Sequence, residues 1–223
     1  RFHEFQSQLR LRMIALTWNF ENEIGHPAAQ GSKPGLKPFG FELLRAMDRH
    51  GILADVSHLN EAGFWDVCER AALPPIASHS DCRWLCDVPR NLNKGQVKAI
   101  VERGGFIGVN FYSRFLKQEG PATLEDVVTA ARFVLKFHGA FFMIHLASRL
   151  CEIVDALHRH QMEMKRLRMI HPKAGRDANL IMLEAVVGAN VGNLKILPPL
   201  VVHNDDGSYT DEIYKIYNAN SEA

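Results

Sequence analysis

Residues 53–81 read LADVSHLNEAGFWDVCERAALPPIASHSD, and the way this stretch folds decides how the first half of the chain is built. His58 closes the run ADVSH and His79 closes PIASH, each after a short apolar segment. Between them Asn60 is placed to cap a helix whose buried face would hold Phe64, Val67, Cys68 and Ala71, and Pro74 and Pro75 end that helix. Strand, helix, strand is a β-α-β unit, which calls for parallel pairing and a right-handed crossover. All strand C-termini then lie on one side, and both histidines stand there. Barrels and open α/β sheets keep their active sites on that side.

The same pattern continues outward. MIALTW (13–18) reads as a buried strand, and residues 1–12, with Phe2, Phe5 and Leu9 at helical spacing, read as the end of a helix. Residues 19–38 are rich in Gly, Pro, Asn and Ser and form a long loop, a length usually reserved for function or mobility. A helix over Pro38–His50 stops at Gly51. Further on, Asn93 caps a helix over 94–103 and GGFIGVNFY (104–112) is another buried strand. After the polar break at 117–122, Thr123 caps a helix to Lys136, AFFMIH is a strand, 147–160 a helix, and RLRMIHPKAGRDANLIMLEAV two neighbouring strands joined by a basic loop. An apolar strand, an Asp206-Gly207 turn and a short helix complete the chain. The expected fold class is α/β: partial (β/α) barrel-type parallel β-α-β units in residues 1–120, and a Rossmann-like C-terminal sheet end in residues 121–223.

Composition permits a packed core and excludes little else. Hydrophobic residues make up 47% and charged residues 23% of 223, and a net charge of +1 gives no global pull toward nucleic acid or an acidic membrane. No apolar run reaches the length of a membrane span. Cys68, Cys82, Cys86 and Cys151 form no Cys-x-x-Cys pair and read as reduced thiols of a cytoplasmic protein. The chain begins with Arg1, so its natural start is expected upstream.

Spacing alone leaves two readings of the histidine pair. Neighbouring parallel strands lie about 5 Å apart, so two end residues can converge on one ion, and imidazole nitrogen suits zinc at about 2.0–2.1 Å. The alternative is that each ring only makes a hydrogen bond at its strand end.

The surrounding motifs add to this. LTWNFENEIG, GLKPFGFELLRAMDRHGILADVSH, PPIASHSD, CDVPRNL and GGFIGVNFY resemble the central part of the membrane (renal) dipeptidase family of binuclear zinc peptidases, over about Met13 to Gln118. The resemblance implies a (β/α)8 barrel with two zinc ions and hydrolysis of a dipeptide by a metal-activated water. It also implies zinc ligation by His58 and His79 and a carboxylate-binding Arg90. The family pattern departs in three places: no His-x-Asp strand or bridging Glu precedes Met13, Trp18 stands where a His usually follows Leu-Thr, and FHGAFFMIHLAS replaces the later acidic strand. No catalytic residue is therefore assigned, the zinc site is expected to be partial, and activity of this chain alone is expected to be weak or nil.

The second half resembles something else. ATLEDVVTAARFVLKFHGAFFMIHLASRL, HPKAGRDANL and LPPLVVHNDDGSYT are similar to the C-terminal part of a tRNA adenine-N6 methyltransferase that acts on valine tRNA, over about Thr123 to Asn218. That resemblance implies a Rossmann-like fold and a tRNA partner, with Lys165, Arg166, Arg168, Lys173 and Arg176 available to phosphate. The Gly-rich loop and the Asn-Pro-Pro-Tyr motif of such enzymes are not found, so S-adenosylmethionine is not expected to bind. The two resemblances meet near residues 122–128, which suggests a chimera of two incomplete parts.

Overall fold

The computed structural model describes residues 11–218. The helix expected over residues 1–12 lies almost wholly outside them. The chain divides into two compact units, Arg1–Ala130 and Ala131–Ala223.

In the first unit, β1 (Met13–Ala15) pairs in parallel with β2 (Leu53–Asp55). Parallel bridges then join Asp55 to Ile76 and Ala77 to Ile107. Four parallel segments thus stand side by side in chain order, the order of a (β/α) barrel wall. They are connected by α1 (Pro38–Arg49), α2 (Glu61–Arg70) and α3 (Lys94–Glu102). Their apolar faces are buried: Leu44 and Met47 from α1, Phe64 and Val67 from α2, and Val97 and Ile100 from α3, as are Ile52, Ala54, Val56 and Ile76 of the wall.

The helix boundaries follow from local chemistry. Asn60 accepts a hydrogen bond from Gly63 N at the start of α2, and Asn93 forms a reciprocal capping box with Gln96 on α3. Gly51, at φ +67, takes the left-handed turn after α1. Arg103 reaches back across the chain to the open end of α2, donating to the carbonyls of Cys68, Ala71 and Leu73. A guanidinium there satisfies carbonyls that no helix bond can reach.

The strands expected over 76–79 and 104–112 are reduced to single bridges, and the reason is visible in the side chains. On the side facing β2 the backbone donors beyond Ala77 turn to polar side chains: Ser78 N donates to Asp55 Oδ1 and His79 N to Ser57 Oγ. On the other side Ser80 N still donates to Gly108 O. The loop 19–38 is held to the same strand ends, with Ala28 N donating to His58 O and Asn60 N to His26 O. Asn60 Nδ2 also donates to the carbonyls of Lys33 and Pro34, so the loop is tied at several points.

Two further helices, α4 (Ser113–Leu116) and α5 (Leu124–Val134), follow, and the division between units falls within α5. Thr123 accepts from Asp126 N at its start.

The second unit is a mixed sheet. β3 (Ala140–Leu146), β5 (Leu180–Val187) and β4 (Met162–Lys173) are antiparallel neighbours, while β6 (Lys195–Ile196) and β7 (Leu200–His203) both pair with β4 in parallel. The β4–β5 pair is the two-strand element joined by a basic loop that the sequence implies. Alternation puts Ile181, Leu183, Ala185 and Val187 of β5 on the buried face, with Ile153, Ala156 and Leu157 of α6 (Leu150–Arg159) also buried. A turn at Asp206-Gly207 leads into α7 (Asp211–Asn218), whose Ile213 packs with Ile170 and Leu200.

Candidate functional site: a histidine pair at parallel strand ends

Asp55 and Ile76 are partners in parallel register, so the residues three positions further on each segment, His58 and His79, fall in the same row. Their Nε2 atoms lie 2.9 Å apart, with ring centroids at 4.9 Å. The structure therefore brings the two expected ligands together.

Behind the rings lies a polar network that sequence reading missed. Asp55, 4% exposed, accepts from Ser57 N (3.0 Å), Ser57 Oγ (2.6 Å), Ser78 N (3.0 Å) and Ser78 Oγ (2.5 Å). Ser78 Oγ in turn lies 2.7 Å from His79 Nδ1. Burial opposes the Asp55 charge, but these donors hold its carboxyl below the ordinary range. A signal was present: each histidine is preceded by a serine, Ser57-His58 and Ser78-His79, and β2 ends in an acid.

Both imidazoles are made harder to protonate than a free histidine. Burial, then the Arg90 charge, then His79 push His58 down to about 4, and burial followed by Arg90 lowers His79. A neutral imidazole has the free lone pair that a metal takes.

Arg90 stands beside the pair. It is buried, donates from Nη2 to His79 O at 3.0 Å and from Nη1 to Ser80 Oγ at 3.2 Å, and lies 5.6 Å from the Phe115 ring centroid. Its Nε has no partner in the protein, and burial lowers it to about 10. Of five guanidinium donors, three remain for a ligand. Asp81, also missed, is 1% exposed; its Oδ1 accepts from Asn110 N while Oδ2 has no partner. Burial pushes Asp81 up to about 7.

The donor set fits part of a metal centre. The Nε2 separation is one that a single ion contacting both nitrogens at about 2.0–2.1 Å can span. Among the described residues, however, no group of three or more His, Cys, Asp or Glu side chains is arranged to hold a metal ion. The residues present supply two imidazoles and no carboxylate ligand.

Parallel segments joined by helices, with two imidazoles meeting at their ends, make a (β/α)-type arrangement. The chain belongs to the membrane dipeptidase family, peptidase family M19, whose model matches residues 4–149. It is 38% identical over 116 residues to an uncharacterized protein in the pqqA 5′ region of Klebsiella pneumoniae, covering 49% of this chain and 43% of that one. An uncharacterized dipeptidase of Schizosaccharomyces pombe is 31% identical over 137 residues, 59% of this chain and 33% of its own. Among solved structures, a metallo peptidase from Rhodobacter sphaeroides liganded with a phosphinate mimic of the dipeptide L-Ala-D-Ala matches with a TM-score of 0.55 at 30% identity. That match covers 60% of this chain and 40% of that one. The chain thus spans less than half the length of each of these relatives. The family implies a metal cofactor. Among the described residues no helix is long and apolar enough to cross a membrane.

Proposed function

We propose that this chain is part of a zinc-dependent dipeptidase. It would contribute His58 and His79 as an imidazole pair to the metal centre, and Arg90 as a cation for the carboxylate of a dipeptide or small amide substrate. The observation that carries the reading is the 2.9 Å approach of two imidazole nitrogens at adjacent strand ends. Zinc held there would lower the pKa of a bound water, so that a hydroxide nucleophile is available near neutral pH. The protein's own part is to make both rings harder to protonate, to fix their strand ends through Asp55, and to hold a guanidinium beside them. Arg90 is tethered to His79 O, so a carboxylate gripped by its free N–H groups would sit in fixed relation to the ligand strand.

Two imidazoles fall short of the three protein ligands of a catalytic zinc site. The remaining donors would come from outside the described residues, and this chain alone would be weakly active or inactive. A cytoplasmic setting is part of this proposal, from cysteine usage in the sequence alone. The test is zinc titration of the metal-free protein, followed calorimetrically. Wild type is expected to bind, and His58→Ala and His79→Ala each to abolish the binding. Uptake that neither substitution changes would refute the assignment.

A second reading rests on the basic residues of β4 and its following loop, as an RNA-binding module or methyltransferase fragment. Arg166 and Arg168 are ion-paired with Glu184 and Glu212, and Lys165 and Lys173 donate to backbone carbonyls. The two glutamates offset the charges of Arg166 and Arg168, which favours the dipeptidase reading. The family match running on to residue 149 also weighs against a chimeric join at 122–128. A salt-sensitive shift of tRNA mobility would support the second reading, and no shift at low salt would remove it.

A further inference from the structure

The network behind the histidines fixes where its protons lie. Asp55, as a carboxylate, only accepts. Ser57 Oγ donates its single proton to Asp55 Oδ1, and its oxygen accepts from His79 N at 3.1 Å. Ser78 also has one proton, with Asp55 Oδ2 at 2.5 Å, His79 Nδ1 at 2.7 Å and Ser57 Oγ at 3.3 Å as neighbours. The carboxylate has no proton to give Ser78, so that contact exists only if Ser78 donates. Its proton is then committed, and the 2.7 Å contact with His79 requires a hydrogen on Nδ1. A neutral ring protonated at Nδ1 has a bare Nε2.

We infer that Asp55, acting through Ser78, is a positioning residue that sets the tautomer of His79 and so presents its Nε2 lone pair at the strand ends. The consequence reaches the second ring. With His79 Nε2 bare, the 2.9 Å contact with His58 Nε2 needs its hydrogen on His58. His58 Nδ1 is then bare as well, and it is the ring nitrogen that is buried without a partner. A buried acceptor without a partner is tolerated more readily than an unpaired N–H. In the metal-free protein His79 is thus ready to ligate, while His58 must move its proton to Nδ1 before both rings can share an ion. The relay is a carboxylate–histidine pairing with a serine hydroxyl interposed, and metal-ligating histidines depend on such partners.

The role in ligation rests on the zinc reading, but the tautomers do not, and the test separates the two. The metal-free 223-residue protein, labelled with ¹⁵N-histidine, is read by long-range ¹H–¹⁵N correlation, which distinguishes protonated from bare ring nitrogens. Wild type is expected to show His79 as the Nδ1–H form and His58 as the Nε2–H form. In Asp55→Asn the amide oxygen takes the Oδ1 position, which accepts three of the four bonds, and the amide NH₂ donates to Ser78. Ser78 then turns its proton to His79 Nδ1, and both rings exchange tautomers. Zinc affinity is expected to fall by about 10–100-fold. Ser78→Ala, which removes the link but leaves Asp55, is expected to lose the single tautomer at His79. An Nε2–H form of His79 in wild type, or a wild-type pattern persisting in folded Asp55→Asn, would overturn the inference. The expected tautomers without zinc uptake would uphold the relay and sink the zinc reading.

Discussion

Replacing Asp55 with alanine gives the sharpest test of what holds the strand ends in place. The substitution strips four donors of their acceptor. The two serine hydroxyls can re-aim, since Ser57 Oγ and Ser78 Oγ are already 3.3 Å apart. Ser57 N and Ser78 N are backbone groups and cannot. Each buried donor left unpaired costs about 1–3 kcal/mol, offset in part because a buried charge is removed as well. A net loss of about 2–4 kcal/mol at pH 7 is expected. Urea unfolding followed by tryptophan fluorescence isolates the effect, because all 3 tryptophans, at positions 18, 65 and 84, lie in the first unit. The pH dependence has a definite sign. The folded carboxyl titrates below its unfolded value, so its contribution is complete above the unfolded pKa and fades as pH falls through the folded one. The gap between wild type and Asp55→Ala should therefore narrow toward low pH. A loss under about 0.5 kcal/mol, the ordinary range for inconsequential substitutions, or a gap that widens on acidification, would refute the reasoning.

Gly108→Ala should loosen the same site from the other side. A Cβ at 108 would lie 2.0 Å from Ser78 O, a backbone atom of the segment that carries His79, while Gly108 N is bonded to Ala77 O. The overpacking should cost about 1–3 kcal/mol in the fluorescence-detected transition and weaken zinc uptake; wild-type values for both would contradict the close approach. The cysteines should separate by reactivity. Cys82 is 1% exposed and pushed up to about 12, mainly by burial and then by Asp81, whereas Cys151 is exposed. At pH 8, iodoacetamide should label Cys151 in the native protein and reach Cys82 only after denaturation, as mass spectrometry would show. Equal labelling rates would count against the packing described for Cys82.

What the sequence revealed and what it hid divide along the distance over which the chemistry acts. Asn60 and Asn93 were legible as caps because a cap bonds three residues away, and Gly51 as a helix stop because its backbone conformation is local. The convergence of His58 and His79 was legible because parallel pairing brings strand ends together, whatever the side chains in between. Asp55 was legible only as an acid at a strand end, not by its partners. Its partners include Ser78, 23 residues on, and nothing in ADVSH says that the acid turns toward a second strand rather than toward solvent. The Arg103 clamp on α2 spans 35 residues and the Arg168–Glu212 pair 44, so neither leaves a local pattern. The short ladders at 76–79 and 104–112 follow from the same cause. Apolar content predicts a strand, but polar side chains from the neighbouring segment decide where pairing stops.

The distribution of buried polar atoms says where the first unit has given up stability. Among the described residues, six buried side-chain atoms have no hydrogen-bond partner in the protein: Thr17 Oγ1, His58 Nδ1, Asp81 Oδ2, Arg90 Nε, Asn91 Oδ1 and His203 Nδ1. All but His203 belong to the first unit, and Thr17 and His58 lie just beyond β1 and β2. Asp81 follows the His79 segment, and Arg90 is bonded to it. Each such group costs about 1–3 kcal/mol, a cost that selection for stability alone would remove by apolar replacement. Of these residues, His58 and Arg90 are the ones bonded to His79 itself. Arg90 shows the division within one side chain: two of its N–H groups hold the His79 strand end and Ser80, and Nε–H faces no acceptor. On the proposed function, Arg90→Lys would keep the charge and lose the fork, so it should weaken carboxylate binding more than zinc affinity, which would fall only through the lost bond to His79 O; equal losses of both would assign Arg90 to the scaffold alone.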